Sequence, residues 1–223
     1  NTNLTKNILA ALLSVFLLII VLPVQPVRAA TIISTSTGGA WNLGTTWVDG
    51  VVPLPTDSVV IATTGSNSVT LDAPIVLSGS ITIAPGATLA TNNFALTLGG
   101  DLINNGTFNV GSSNITFNGT VDQSISGFTT TGTVSMTKTG GTATLAGDVT
   151  AGALTINGTG GTLNLAGSNV NTGSVTLTAG TIAGTTGILT GTSYSLQSGT
   201  VSTILGGAGA ATKTTAGIVT LSG

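Results

Sequence analysis

The sequence predicts an all-β fold, a single-stranded parallel β-helix (a β-solenoid) with rungs of about 20 residues. Three observations predict it. GGTATLAG at 140–147 returns almost unchanged as GGTLNLAG at 160–167. An apolar–Thr/Ser–apolar triplet recurs, starting at Val69, Ile81, Leu96, Ile115, Val134, Leu154, Val175, Tyr194 and Val219. Successive starts lie 12, 15, 19, 19, 20, 21, 19 and 25 residues apart, so the period is nearly constant from Leu96 to Tyr194.

The triplet is strand grammar, because alternate side chains point to opposite faces and the outer two share one side. β-Branched residues favour that pleated, half-buried surface. Asn105-Gly106, Asn118-Gly119 and Asn157-Gly158 punctuate the runs with turn residues. An antiparallel sandwich would need no fixed period. A coil that returns above itself every rung explains why one residue type reappears at one place. On this basis Ile81, Leu96, Ile115, Val134, Leu154 and Val175 form one interior column, with Ile83, Leu98, Phe117, Met136, Ile156 and Leu177 beside it. Tyr194 breaks the aliphatic pattern and is expected to mark a wider rung or an outward turn.

Taken in order, residues 1–29 read as a secretory signal peptide. Lys6 precedes the apolar run Ile8–Leu22, which only Ser14 interrupts, and Val27-Arg28-Ala29 offers small residues at the cleavage positions. The run is short for a membrane anchor. The chain begins with Asn1 rather than Met, and a few preceding residues are expected. Residues 30–57, with Trp41 and Trp47, are assigned to an N-terminal cap over the first rung. Residues 58–223 are assigned to β-helix repeats. Gly223 comes just after a triplet with no cap signal, so the repeat is expected to continue beyond it.

From residue 30 onward there is no Cys, His or Glu, and two Lys against six Asp leave a net charge of −4. That balance argues against nucleic acid or an anionic membrane as partner. Without thiols or imidazoles, nucleophile–His pairs and transition-metal sites have no ligands. Asp72, Asp101, Asp122 and Asp148 stand one, three and five residues after, or six before, their nearest triplet position. They therefore form no column of converging carboxylates, and each reads as a turn residue and solubilising charge. The sequence nominates no catalytic, cofactor-binding or metal-binding residue, and the chain is expected not to be an enzyme.

Trp41, Thr46-Trp47, Gly50, Val52-Pro53, Asp57, Val59-Val60-Ile61 and Val69-Thr70-Leu71-Asp72 form a characteristic opening. It resembles the start of repeat-rich, adhesin-like (β-strand-repeat) bacterial surface proteins. It is also similar to the eight-glycine module of secreted β-helix proteins. The resemblance covers about residues 40–100 at motif level. It implies export, a right-handed β-helix and a place at the extracellular side of a bacterial envelope, and it brings no site residue with it.

The expected role is a secreted or cell-surface structural and adhesive module of a larger protein, with surfaces, glycans or other surface proteins as partners and no transmembrane span after the signal. The alternative is the N-terminal part of a polysaccharide-acting β-helix protein. A second alternative is ice binding through an outward column of Thr70, Thr82, Thr97, Thr116, Ser135, Thr155, Thr176, Ser195 and Thr220. Ice-binding solenoids generally present two parallel columns as Thr-x-Thr, and this ladder supplies one.

Overall fold

The computed structural model describes residues 29–223, so the segment 1–29 read as a signal peptide, except Ala29, lies outside the described residues. The described chain is a parallel β-solenoid of about eight turns, almost wholly β, with two short 3₁₀ turns at Gly44–Thr46 and Val48–Gly50. Among the described residues no helix is long and apolar enough to cross a membrane.

Each turn visits three faces. One complete turn runs through Leu96–Leu98, Leu102–Asn104 and Thr107–Asn109 before Ile115–Phe117 returns above its start. The first face stacks Ile75, Leu96, Ile115, Val134, Leu154 and Val175 in register. The second begins with Thr31–Ile33 against Ser58–Ile61 and rises to Val219–Leu221. The third starts as a four-stranded sheet built from Gly39–Ala40, Val69–Thr70, Thr88–Ala90 and Thr107–Asn109. Every strand pairing in both sheets is parallel, as a coil requires.

The repeats seen in the sequence align in space. Thr142, Ala143 and Thr144 pair with Thr162, Leu163 and Asn164, so the two near-identical segments are one corner and strand on consecutive turns. The 19-residue displacement of SVTLTAGTI onto SYSLQSGTV appears as Ile182 over Val201. The 21-residue displacement appears as Leu154 over Val175.

Three expectations need correction. Ile81 and Ile83 do not precede Leu96 and Leu98; Ile75 and Leu77 hold those places. Ile81 stacks between Val59 and Leu102 on the second face. Val69-Thr70 lies on the third face and Val219-Thr220-Leu221 on the second, so one triplet spelling serves all three. The reason is that every face buries alternate residues against one shared core. Tyr194 does not turn outward. It is 3% exposed, and its hydroxyl accepts from Gly191 N–H (2.7 Å) and reaches Leu189 O (2.8 Å) and Gly206 O (2.7 Å). A phenol fits inside because those backbone groups, which a coil of small residues leaves nearby, satisfy its oxygen.

The interior is one continuous apolar column from Trp41 and Trp47 to Val201. Each fully buried Leu or Ile contributes about 1.5–3 kcal/mol relative to exposure. At the lower end the two indoles meet edge to face, with centroids 4.9 Å apart, and Trp47 Nε1 donates to Trp41 O at 2.7 Å. Both are 1% exposed, so neither ring offers a face to a sugar.

Candidate functional site: hydroxyl flanks and rung-to-rung ladders

The outward hydroxyls do not form the single column that the triplets suggested. Thr70, Thr82 and Thr220 belong to other faces, and Val76 occupies the first-face place below Thr97. The first-face column is Thr97, Thr116, Ser135, Thr155 and Thr176, with Ser195 and Thr212 paired higher up. The second face carries an arrangement that the triplets concealed. Thr142, Thr162, Thr181, Thr200 and Thr220 stack on five consecutive turns without substitution. Two residues along the same strands stand Thr144, Asn164, Ala183 and Ser202. These side chains alternate with Ala143, Leu163, Ile182 and Val201, which are buried in the core.

The charged groups have another occupation. Asp101 Oδ1 accepts the N–H of Ser124 on the next turn at 2.8 Å. Asp122 Oδ1 accepts from Thr142 (2.8 Å), and Asp148 Oδ1 from Asn169 (2.7 Å). Asn93, Asn114 and Asn169 do the same for Ser112, Thr133 and Ile188. Asp57 takes Ala30 N–H and Leu54 N–H, both at 2.8 Å, with its two oxygens. Ser58 and Ser80 extend the series by accepting from Ser80 and Asp101. A strand leaving a corner has an N–H with no ladder partner, and a side-chain oxygen from the rung below supplies one. The aspartates are therefore turn residues, as their spacing suggests, but they also join successive turns. Among the described residues no three carboxylates gather into a cluster.

Sequence reasoning missed the one buried cation among the described residues. Lys138 is fully buried at the corner between the first and second faces. Its Nζ donates to Gly119 O (2.7 Å), Val121 O (2.8 Å) and Gln123 Oε1 (2.6 Å). Gln123 passes the connection down, its Nε2 donating to Leu98 O (3.2 Å) and Gly100 O (2.7 Å). Three turns are thus tied by one side-chain chain. Burial pushes the Lys138 pKa below its ordinary 10.5, while the neighbouring Asp122 carboxylate works in the opposite direction. Any side chain at Gly158 or Gly161 would collide with Lys138 on the turn below. The available signal was a lysine between two threonines, two residues beyond a triplet, with that glycine pair one period later.

Cavities add little chemistry. An apolar void of about 20 Å³ lies among Phe117, Phe128, Met136, Leu154 and Leu163, room for one water at most. An open shelf of about 360 Å³ runs along Asn171, Thr172, Thr190, Gly191, Gly207 and Gly209, without a charged side chain.

Residues 46–179, more than half of the sequence, match the family model of the G8 domain. The chain belongs to the G8 domain family. The matched span opens at Thr46, beside the buried tryptophan pair, and closes at Ala179, just past the first-face strand that carries Thr176. The G8 match therefore contains Lys138, Gln123 and all six aspartates, while Thr181, Thr200 and Thr220 of the second face lie beyond it. No curated protein and no solved structure matches the chain.

Proposed function

We propose that this G8 domain chain is an exported, non-catalytic structural module, an elongated arm of a larger surface protein that attaches to surfaces or glycans. The observation that carries the reading is the employment of its polar chemistry. Asp57, Asp72, Asp101, Asp122 and Asp148 each accept a backbone N–H from another part of the coil, and the Lys138 ammonium is enclosed by three oxygens. Groups held in this way set the spacing of rungs. A solenoid also lengthens by adding rungs without redesigning its core, which suits a spacer. The 1–29 segment supports export as a cleaved signal, and the adhesin-like opening supports a bacterial surface.

The test has two arms. Cells lacking the gene should attach less well to surfaces and glycans than the parent, and antibody should detect the protein outside intact cells. Unchanged attachment, or a protein confined to the cytoplasm, contradicts the reading. The polysaccharide-acting alternative predicts cleavage of a polysaccharide panel by the purified protein, and such turnover would replace a structural role with an enzymatic one.

A further inference from the structure

We infer that the upper second face is an ice-adsorbing surface, its contact made by the threonine column 142–162–181–200–220 and the parallel column beside it. This goes beyond a structural role, and of the nine hydroxyls that the triplets nominated the column includes only Thr220.

Four features of that face converge. It is regular: from Thr142 to Thr220 the column residues pair directly on consecutive turns, and the register shifts of these long strands fall outside the column positions. Turns are about 4.8 Å apart and alternate residues about 6.6 Å apart, which makes a two-dimensional grid of fixed repeats. Those repeats are comparable with the spacings between water oxygens on the prism faces of ice. The face is also neutral, since no Lys, Arg or Asp stands in either column above Asp122. A charge would impose its own hydration shell and break the lattice.

The hydroxyls themselves are available. Among the described residues, none of the column's five threonine hydroxyls has a protein hydrogen-bond partner. Thr192 and Thr203, away from the face, donate to Gly173 O (2.7 Å) and Gly187 O (2.9 Å). Finally, the chemistry is two-sided. A threonine, half-buried at 142, 162, 181 and 200 and exposed at 220, presents a hydroxyl that can anchor water and a methyl that orders water around itself. The first face is the poorer candidate, because serine replaces threonine at Ser135 and Ser195 and Lys213 follows Thr212 at its top.

The occupant is crystalline water, so the probe is ice itself. Purified protein is partitioned into a slowly growing ice hemisphere, and thermal hysteresis is read by osmometry. Two double variants are compared, Thr162→Lys with Thr181→Lys on the second face and Thr155→Lys with Thr176→Lys on the first. Circular dichroism confirms that each keeps its β signature. The wild type and the first-face variant should concentrate in ice and give hysteresis, and the second-face variant should lose both. Exclusion of the folded wild type from ice overturns the proposal. So does loss in the first-face variant, alone or with the other, or adsorption to crystalline cellulose or chitin without adsorption to ice.

Discussion

The lower and upper halves of the solenoid both turn corners on glycines but differ in the side-chain hydrogen bonds that accompany them. Below residue 148 strands are two to four residues long, and side-chain oxygens bridge the gaps between them. The series Ser58, Ser80, Asp101 hands one hydrogen bond up each turn to Ser124. Above it the chain forms strands of 16 and 27 residues, Val149–Asn164 and Val170–Leu196, which pass round corners without interruption. Glycines approach the backbone below in both halves, as Gly79 does at Asp57 O and Gly119 at Gly99 O, but at most upper corners they stand without a side-chain ladder beside them. A side chain at Gly173 would meet Gly152 O, and one at Gly180 would meet Gly158 O. The exception supports the rule: the upper strands break at 165–169, where Asp148 and Asn169 form a side-chain ladder again. A corner where the strand breaks adds a side chain that replaces a missing backbone partner, as Ser80 does beside Gly100, and a corner where the strand continues needs none.

Substitutions should separate the two solutions, and hydrogen exchange read half by half is the suitable probe for a fold of stacked units. The largest effect is expected at the lower end. Trp47→Ala removes a buried indole and its bond to Trp41 O, at a cost of about 3–5 kcal/mol. Protection should fall first in the lowest turns, with residues 170–206 retained.

Lys138→Met comes next. It leaves Gly119 O, Val121 O and Gln123 Oε1 without their donor, costing about 2–4 kcal/mol and loosening 118–123. It should also change the response to pH. Below the lowered Lys138 pKa both folded and unfolded chains are protonated, and the fold carries the full cost of a buried ammonium. Between that value and 10.5 the unfolded chain binds the extra proton, so wild-type stability rises with pH through this window. Denaturation midpoints of Lys138→Met should lack that alkaline rise.

Smaller effects should divide by region. Gly180→Ala puts a methyl against Gly158 O at a positive φ of 98°, costing about 1–3 kcal/mol with exchange rising in the upper strands. Asp101→Ala removes one acceptor from Ser124 N–H, about 1 kcal/mol, with exchange rising at that corner alone. If Asp101→Ala loosened the long upper strands as much as Gly180→Ala did, the two corner types would not be independent.

Much of this architecture was legible in the residues, and the spacings held more than the triplets did. Gaps of 19–21 connect triplets on the same face, as from Leu96 to Ile115. The gaps of 12, 15 and 25, from Val69 to Ile81, Ile81 to Leu96 and Tyr194 to Val219, are where the triplet changes face. Period identifies rungs, whereas face needs corner length, because each face buries the same residue types. Tyr194 and Lys138 were illegible for a related reason. A buried phenol or ammonium is tolerable only when backbone oxygens from other turns reach it, and that convergence depends on three-dimensional register. The second-face threonine column was hidden in the same way, since Thr142, Thr162 and Thr181 precede their apolar neighbours instead of lying between them.

The central claim is the three-faced register, and paired cysteines test it most directly because the chain has none of its own. Val76→Cys with Thr97→Cys joins direct neighbours on the first face, within disulfide reach at the usual strand spacing. Thr82→Cys with Thr97→Cys joins the positions that a single ladder of triplets would stack. Mild oxidation and then peptide mapping should find the 76–97 bridge in high yield and none between 82 and 97. A dominant 82–97 bridge would contradict the three-faced solenoid.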